Sequence, residues 1–503
     1  MSPVEHVELR TGAYHDSVTL LQVSRAVADV DGVLAAQVAM ATPLNVEVLQ
    51  GMGFAVPEQA GPSDLMVAVR ADDDAAVEAA LAALVVALTP ATSSSGPSVL
   101  EPPRTTGVAL RREPAPLVLV SVPGPSAAAE AMDAIAAGSS VMVFSDNVSV
   151  EEEVALKDAA ASQDVLVMGP DCGTAVVGGV GLGFANVVRP GPVSLVAASG
   201  TGAQHLLALL DHAGVGVRHC LGVGGRDLSA AVAGRSARQA LTALADDEES
   251  ELVVVVSKPA DPGVLAELEA LVADLGVAVQ WATLGSGRPD LSEAAQAVLA
   301  RVGVAEVRWP HWPAAEPQPR SPGRALRGLF CGGTLCDEAM LVAGRQLGAI
   351  RSNIPLSPDL ALDVRGDGGW DGGTDHAMVD FGDDALTSGR AHPMIDPSLR
   401  DQRLAREAAD PAVGAVLLDV VLGHGSHADP AGELAPAITA ARRAALDQGR
   451  HLGVVVSLTG TIGDPQGRDD QAARLAAAGA DVYLSNAEAA RAAAALVSTG
   501  EAS

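Results

Sequence analysis

Aromatic residues make up 2% of this 503-residue chain, and its four cysteines, Cys172, Cys220, Cys331 and Cys336, are irregularly spaced. A core so poor in rings must be built from Ala, Val and Leu, which suits Val-rich parallel strands covered by Ala-rich helices. The cysteine count and spacing fit neither a disulfide frame nor a zinc site, and reduced thiols are expected. Positive charge is also scarce: 32 Lys and Arg stand against 62 Asp and Glu, a formal net charge of −30. That balance argues against nucleic acid or an anionic membrane as partner. An anionic ligand would need a local pocket of N–H groups or Arg. The start shows no basic-then-apolar signal pattern and no stretch approaches membrane-spanning length, so a cytoplasmic protein is expected. The length calls for more than one domain.

What is present is organised around one corner. Val193 to Ala198 is an apolar, partly β-branched run that reads as a buried parallel strand. It breaks at Ser199-Gly200-Thr201-Gly202, and a helical pattern follows through Leu206, Leu207, Leu209 and Leu210 to Gly214. Such a corner gathers free backbone N–H groups and the positive end of a helix dipole at one point. Glycines allow close approach and the two hydroxyls add donors, so phosphate or carboxylate is the natural guest. A corner that merely caps itself is the competing reading.

Residues 1–90 read as strand, helix, strand, strand, helix, a small α+β module of ferredoxin-like flavour. Residues 91–116, with Ser-Ser-Ser-Gly-Pro and Pro-Pro, read as a linker. Residues 117–187 alternate strand and helix as half of a Rossmann unit, and no G-x-G-x-x-G follows the first strand, so no dinucleotide site is read. Residues 188–304 form a first flavodoxin-like lobe and residues 305–325 a Pro- and Trp-rich linker. Residues 326–503 form a second lobe in which Cys331-Gly332-Gly333-Thr334 mirrors the opening corner. The fold class expected is thus α/β, a degenerate duplication whose helix N-termini face one site.

Individual residues carry two readings each. His427, after Gly425-Ser426, is a candidate phosphate donor or general acid, or a loop cap. Arg226 and Arg390 each follow a Gly-rich turn and suit a bidentate clamp on a carboxylate, or a surface ion pair. Cys172 at a strand end suits a nucleophile, but a small packing residue is the preferred reading. Asp396 and Asp146 read as Asx turns at strand ends. The acidic run from Asp363 to Asp384 lacks an EF-hand's terminal Glu and reads as a flexible loop, so no metal is expected.

Several segments together resemble the NDP-forming acyl-CoA synthetase superfamily, which includes succinyl-CoA synthetase. Val120-Ser121-Val122-Pro123, Gly169-Pro170-Asp171-Cys172-Gly173 and Ser199-Gly200-Thr201 occur in the order of that family's α-subunit, and residues 326–495, through Gly389-Arg390 and Gly423–Asp429, resemble its β-subunit lobe. The FdrA type is the nearest resemblance, through Tyr14-His15-Asp16-Ser17-Val18-Thr19-Leu20, Ala41-Thr42-Pro43-Leu44-Asn45, Gly183-Phe184-Ala185-Asn186, Gly224-Gly225-Arg226-Asp227-Leu228 and Gly332-Gly333-Thr334-Leu335-Cys336. The resemblance implies a succinyl-CoA synthetase-like ligand scaffold with a CoA-like pocket at Ser121, Pro123, Ser145, Asp146, Asn147, Cys172 and Gly173. It implies anion binding at Ser199, Gly200, Thr201, Gly202, Gly332, Gly333, Thr334, Gly425 and Ser426.

Two departures from the family matter. The family's phosphohistidine loop is replaced by Lys258-Pro259-Ala260-Asp261, and no His lies between His219 and His311. No ATP-grasp domain is recognisable. The resemblance therefore implies a carbamoyl- or acyl-transferring subunit, of oxamate carbamoyltransferase type in purine and allantoin breakdown. It would act on carbamoyl phosphate or phosphate, with CoA as a possible ligand, in a homo-oligomer and a hetero-oligomer with other carbamoyltransferase subunits. An acyl-CoA ligase or acyl-CoA-binding enzyme is the alternative, and a non-catalytic scaffold subunit the third reading.

Overall fold

The computed structural model describes residues 3–11, 17–57, 59–61, 64–88, 103–319, 323–370, 373–387 and 390–498. The family motif Tyr14-His15-Asp16 and Gly389 lie outside them. The chain divides into two compact units, Met1–Pro102 with Ser388–Ala391, and Pro103–Thr387 with His392–Ser503.

The first unit contains β1 (Val4–Thr11), α1 (Ser17–Ala28), β2 (Val33–Met40), α2 (Pro43–Gly51), β3 (Asp64–Ala71) and α3 (Asp74–Leu88). Its antiparallel sheet runs β1-β3-β2, as in a ferredoxin-like sheet without its fourth strand. Buried Val67, Val69 and Leu65 face a cluster with Leu20, Val23 and Leu84, while Met66 and Ala68 face Leu49 and Phe54 on the other side. The helix α2 was not foreseen, although Thr42-Pro43 starts it by ordinary rules: the Thr42 hydroxyl accepts from the Asn45 amide at 3.4 Å.

The second unit begins with α4 (Thr106–Arg112), which lies inside the stretch read as a linker and is N-capped by Thr105. A parallel three-stranded sheet follows, built from β4 (Leu117–Val120), α5 (Gly124–Ala136), β5 (Ser140–Val143), α6 (Val150–Ser162) and β6 (Val167–Met168). The hairpin β7 (Thr174–Val177) and β8 (Val180–Gly183) was assigned above to this half-Rossmann segment. It pairs instead with the next sheet, through Val176 and Cys220. That sheet comprises β9 (Val193–Ala198), α7 (Gly200–His212), β10 (Val217–Gly222), α8 (Arg235–Ala245), β11 (Leu252–Ser257), α9 (Pro262–Leu275), β12 (Val279–Thr283) and α10 (Leu291–Arg301).

The Pro- and Trp-rich stretch is likewise more than a linker. Its β13 (His311–Trp312) adds an antiparallel strand to the edge of the last sheet, and Trp309 is buried in the first lobe's core. The second lobe contains β14 (Ala325–Phe330), α11 (Gly333–Leu347), β15 (Ile350–Arg351), β16 (His376–Asp380), α12 (Asp384–Thr387), α13 (Ser398–Ala409), β17 (Val413–Val421), α14 (Pro430–Asp447), β18 (Gly453–Thr459), α15 (Arg468–Ala477), β19 (Asp481–Tyr483) and α16 (Asn486–Val497). The parallel order β12-β11-β9-β10 in one lobe matches β18-β17-β14-β16 in the other, with β19 as a fifth strand. Both orders are flavodoxin-like, with strand 1 between strands 2 and 3. The fold class is the α/β architecture expected.

Helices α7, α10, α11 and α16 pack against one another between the two sheets. This explains why α7 is buried from Gly202 to Asp211 instead of showing one apolar stripe. Its polar His205 is fully buried, with Nδ1 2.8 Å from Thr459 Oγ1 and Nε2 accepting from the Asn486 amide at 3.3 Å. Burial pushes this imidazole down to about 3, so it stays neutral.

The small parallel sheet is tied to the first lobe by a buried lysine. Lys157 on α6 donates to Glu153 (2.7 Å), Asp227 (2.7 Å) and the Val223 carbonyl (2.9 Å), and all three charged groups are fully buried. Asp227 also accepts the first amides of α8, Ser236 and Ala237. Every donor of the ammonium is therefore used. Replacing Lys157 by Met should strand two buried carboxylates and cost about 3–5 kcal/mol, read from urea unfolding.

Candidate functional site

The two corners expected from the sequence begin helices at equivalent places. Ser199 is the N-cap of α7, its hydroxyl accepting from the Gly202 amide at 2.9 Å, and Gly332 is the N-cap of α11. The helices meet tip to tip. Ser199 Oγ lies 2.6 Å from Thr334 Oγ1, and the contact is reciprocal. A Cβ on Gly202 would stand 2.8 Å from the Thr334 methyl, and one on Gly332 would stand 2.7 Å from Thr201. No Cβ fits at either glycine. Gly200 differs: its Cβ would meet only Thr174 Oγ1, at 3.7 Å.

The corners are not equally open. At α11 the Asp419 carboxylate already accepts the Cys331 amide (2.7 Å) and the Gly332 amide (3.0 Å), and buried Arg400 holds that carboxylate at 2.9 Å. Val196 pairs with Val255 as Leu329 pairs with Leu418, three residues before each N-cap, so Val256 occupies the place of Asp419 in the first lobe. Among the described residues no carboxylate plugs α7. The Gly200 and Thr201 amides have no acceptor among the described residues.

Beside the meeting point stands Lys258, one of the chain's two lysines. Its Nζ and the Asp380 Oδ2 atom fall 3.0 and 2.6 Å from the same point, the Cβ position of Gly333. Lys258 makes no hydrogen bond or ion pair among the described residues. Burial opposes its charge, but Asp380, Asp337, Asp171 and Asp383 outweigh it and hold the ammonium above its ordinary range. Burial pushes Asp171, Asp337 and Asp380 up to about 7 each, with Lys258 pulling the other way. Asp384 is raised too, by burial and by Asp146 and Asp383. Asp171 is exposed and Lys258 half-buried, so solvent reaches this side of the cluster. Phe144, Phe184 and His392 stand in a row with centroids 5.5 and 5.6 Å apart. His392 is pushed down to about 4 by burial.

Carboxyls that exchange protons near neutrality, a free ammonium and uncommitted helix amides are the ingredients of proton transfer beside an anion. The sequence reading missed this set. Its members come from the ends of β6, β9, β11 and β16 and from α11, and the acidic run read as a flexible loop in fact ends β16 at buried Asp380. Among the described residues no cluster of His, Cys, Asp and Glu is arranged to hold a metal ion.

The other expected residues fare differently. His427 Nδ1 accepts from the Asp429 amide at 3.1 Å, a loop cap. Gly425 has φ +82° and packs on Phe184, and buried Ser426 Oγ has no partner. Arg226 donates to Glu153 (3.0 Å) and the Val148 carbonyl (2.8 Å). Arg390 belongs to the first unit and is not among the residues gathered here. Asp396 accepts from the Ser398 amide at 3.0 Å, as an Asx turn does.

In the CoA-like pocket, Ser121, Pro123 and Asn147 are exposed, Asp146 and Gly173 are part-buried, and Ser145 donates to the Val122 carbonyl at 2.5 Å. Pro125 lacks a donor and the Ser126 amide bonds the Pro123 carbonyl, so the first turn of α5 offers few free amides. Burial drives the Cys172 thiol well above its ordinary range, so it packs as a neutral thiol; all four cysteines are buried and free.

The packing at the tips separates structure from binding. Gly202→Ala and Gly332→Ala should each destabilise by about 1–3 kcal/mol in urea unfolding. Gly200→Ala should stay within about 0.5 kcal/mol of the parent.

A family model described as CoA-ligase matches residues 329–496, and one described as the AllF heavy metal-associated domain matches residues 1–102. The latter stretch contains no cysteine. YahF of Escherichia coli (strain K12) is 37% identical over 498 residues, 94% of this chain and 95% of that protein. The succinate–CoA ligase [ADP-forming] subunit alpha 2 of Archaeoglobus fulgidus is 28% identical over 154 residues, 30% of this chain and 52% of that one. A dinucleotide-forming acetyl-coenzyme A synthetase 1 of Ca. Korarchaeum cryptofilum, solved with phosphate and ADP, is 15% identical. It covers 76% of this chain and 82% of that chain with a TM-score of 0.26, too low to carry an argument. The full-length match to YahF and the CoA-ligase match to the second lobe place the chain: it belongs to the YahF family, an acyl-CoA synthetase-like family of the FdrA type.

Proposed function

We propose that this chain transfers a carbamoyl or related acyl group from its phosphate to an acceptor, on a CoA-ligase-like scaffold and without a phosphohistidine. The observation that carries the reading is the open α7 tip. The Gly200 and Thr201 amides are uncommitted, the space beside Gly200 is free, and Lys258 stands unpaired next to the facing helix. A phosphoryl group at that tip accepts amide and ammonium donors, which strengthen as charge moves onto the leaving phosphate. The acceptor's nucleophilic atom bonds to the carbonyl carbon, the carbon–oxygen bond to phosphate breaks, and its electron pair leaves on phosphate. The acceptor's proton passes to a carboxylate of the cluster around Lys258.

The alternative acceptor is the CoA thiol, which would make the chain ligase-like. The CoA-ligase match over residues 329–496 and the succinate–CoA ligase relative favour it. The few free amides at α5 weigh against a tightly held diphosphate there.

The two readings part in one experiment. Phosphate release from carbamoyl phosphate and from acetyl phosphate is followed with ammonium, small amides or CoA as acceptor. Protein-dependent release that needs an amine or amide and prefers carbamoyl phosphate supports carbamoyl transfer. Release that needs CoA supports the ligase-like reading, and no release with any pair sinks both.

Anion binding should depend on pH in a definite sense. Asp171, Asp337 and Asp380 lose protons through about 7, adding negative charge beside the anion as pH rises. Sulfate, whose own charge is constant in this range, should therefore bind roughly tenfold more weakly at pH 8 than at pH 6, read by calorimetry.

A further inference from the structure

We propose that Asp337 is the base that takes the acceptor's proton, with Lys258 keeping its carboxylate available. This inference rests on the transfer reading above and adds a residue to it. Asp337 lies in the second turn of α11, four residues after Gly333, on the face that Gly333 presents to Lys258 and Asp380. Helical side chains lean toward the N-terminus, so its carboxyl is directed at the tip where α11 meets α7.

Its lack of partners sets it apart. Asp337 is 6% exposed, yet its side chain makes no hydrogen bond or ion pair among the described residues. The next residue provides the contrast. Glu338 is fully buried, and its two oxygens accept the Leu291 amide (2.6 Å) and the Asn486 side chain (2.7 Å), which fixes it as a structural tie between the lobes. Asp380 accepts the Gly382 amide at 2.9 Å, and Asp419 is held by two amides and Arg400. Asp171 is exposed to solvent. Neither oxygen of Asp337 is among the side-chain atoms sealed from solvent without a partner, so the carboxyl is open to a guest. Asp337 is thus the buried carboxyl of this set with both oxygens uncommitted, where Asp380 has one oxygen held by the Gly382 amide.

The groups that face it agree with that role. Lys258 is the charge acting directly on Asp337 and draws its carboxyl toward the ionised form, against burial. Asp171, Asp380 and Asp383 share the same ammonium, so protonation of one frees Lys258 for another. In the step itself, the acceptor's N–H or S–H bond yields its proton to Asp337 while its lone pair forms the bond to the carbonyl carbon. The electron pair of the breaking carbon–oxygen bond departs on phosphate, and the proton is later lost to phosphate or water.

The test uses the full chain, radiolabelled carbamoyl phosphate, and whichever acceptor of the ammonium, amide and CoA panel supports turnover. Asp337→Asn should lower kcat by about 100-fold or more while KM for carbamoyl phosphate changes little, and should remove the acid limb of the parent's pH–rate profile. Asp337→Glu should restore part of the rate. If Asp337→Asn fails to fold by circular dichroism, Asp337→Ala takes its place, and added formate should rescue it. A parent profile without an acid limb near pH 7 would overturn the assignment even if neither variant folds. An unchanged kcat in a folded Asp337→Asn overturns this inference and leaves the transfer reading standing. A parent inactive with every acceptor overturns the transfer reading and this inference with it.

Discussion

Two helices that meet N-terminus to N-terminus press two positive dipole ends together, and the rest of the site follows from that constraint. Each end carries roughly half a unit of positive charge in the dipole picture. Ser199 and Thr334 touch across the junction at 2.6 Å, and Gly202 and Gly332 leave no room for a side chain between the tips. Such a junction needs negative charge nearby or an anionic guest. The carboxyls of Asp380 and Asp419 supply it on the α11 side, and Asp337 and Asp171 complete an acidic surround. The acidic cluster and the open α7 tip are therefore one electrostatic arrangement. Burial pushes Asp337 and Asp380 up to about 7, so near neutrality their charge responds to what lies beside them.

The duplication is preserved in the backbone and broken in the chemistry. Both lobes place strand 1 between strands 2 and 3, and both start the following helix at the same turn. The differences sit on the third strand of each lobe. Val256 stands where the second lobe has Asp419, and Lys258 stands where it has Val421. One exchange plugs the second corner with an internal carboxylate, and the other sends a cation from the first lobe to the second. A twofold pair of helix corners becomes one closed by its own carboxylate and one with uncommitted amides.

Much of this was legible in the chain because its signals are local. A Val-rich strand running into Ser-Gly-Thr-Gly and then a leucine-patterned helix specifies a corner within fifteen residues, and Cys331-Gly332-Gly333-Thr334 repeats it. Other parts depend on where segments go after they form. The hairpin of β7 and β8 lies in the segment read as half-Rossmann, but its partner is β10, across an intervening strand and helix. Asp337 and Asp380 look like ordinary acids of a helix and a strand end, in a chain with 62 acids. Only the packing of α7 against α11 brings Lys258 to them. His427 shows the reverse case: its Gly-rich setting suggested chemistry, and its Nδ1 caps the Asp429 amide.

The two lysines show how the same residue type acquires opposite roles. Each is surrounded by carboxylates, and neither would be distinguished by composition or by net field. Lys157 places all three of its donors on Glu153, Asp227 and Val223, so no capacity remains for a ligand and its contribution is to join α6 to the first lobe. Lys258 has no such partner, and its charge is held by a field from several directions at once. A satisfied ion cannot answer a substrate without breaking bonds that hold the fold, whereas an unsatisfied one can turn to a new partner at little cost. On that criterion the unsatisfied groups, Lys258, Asp337 and the amides of Gly200 and Thr201, mark where this scaffold is free to do chemistry, and the satisfied ones mark what it must keep to stay folded.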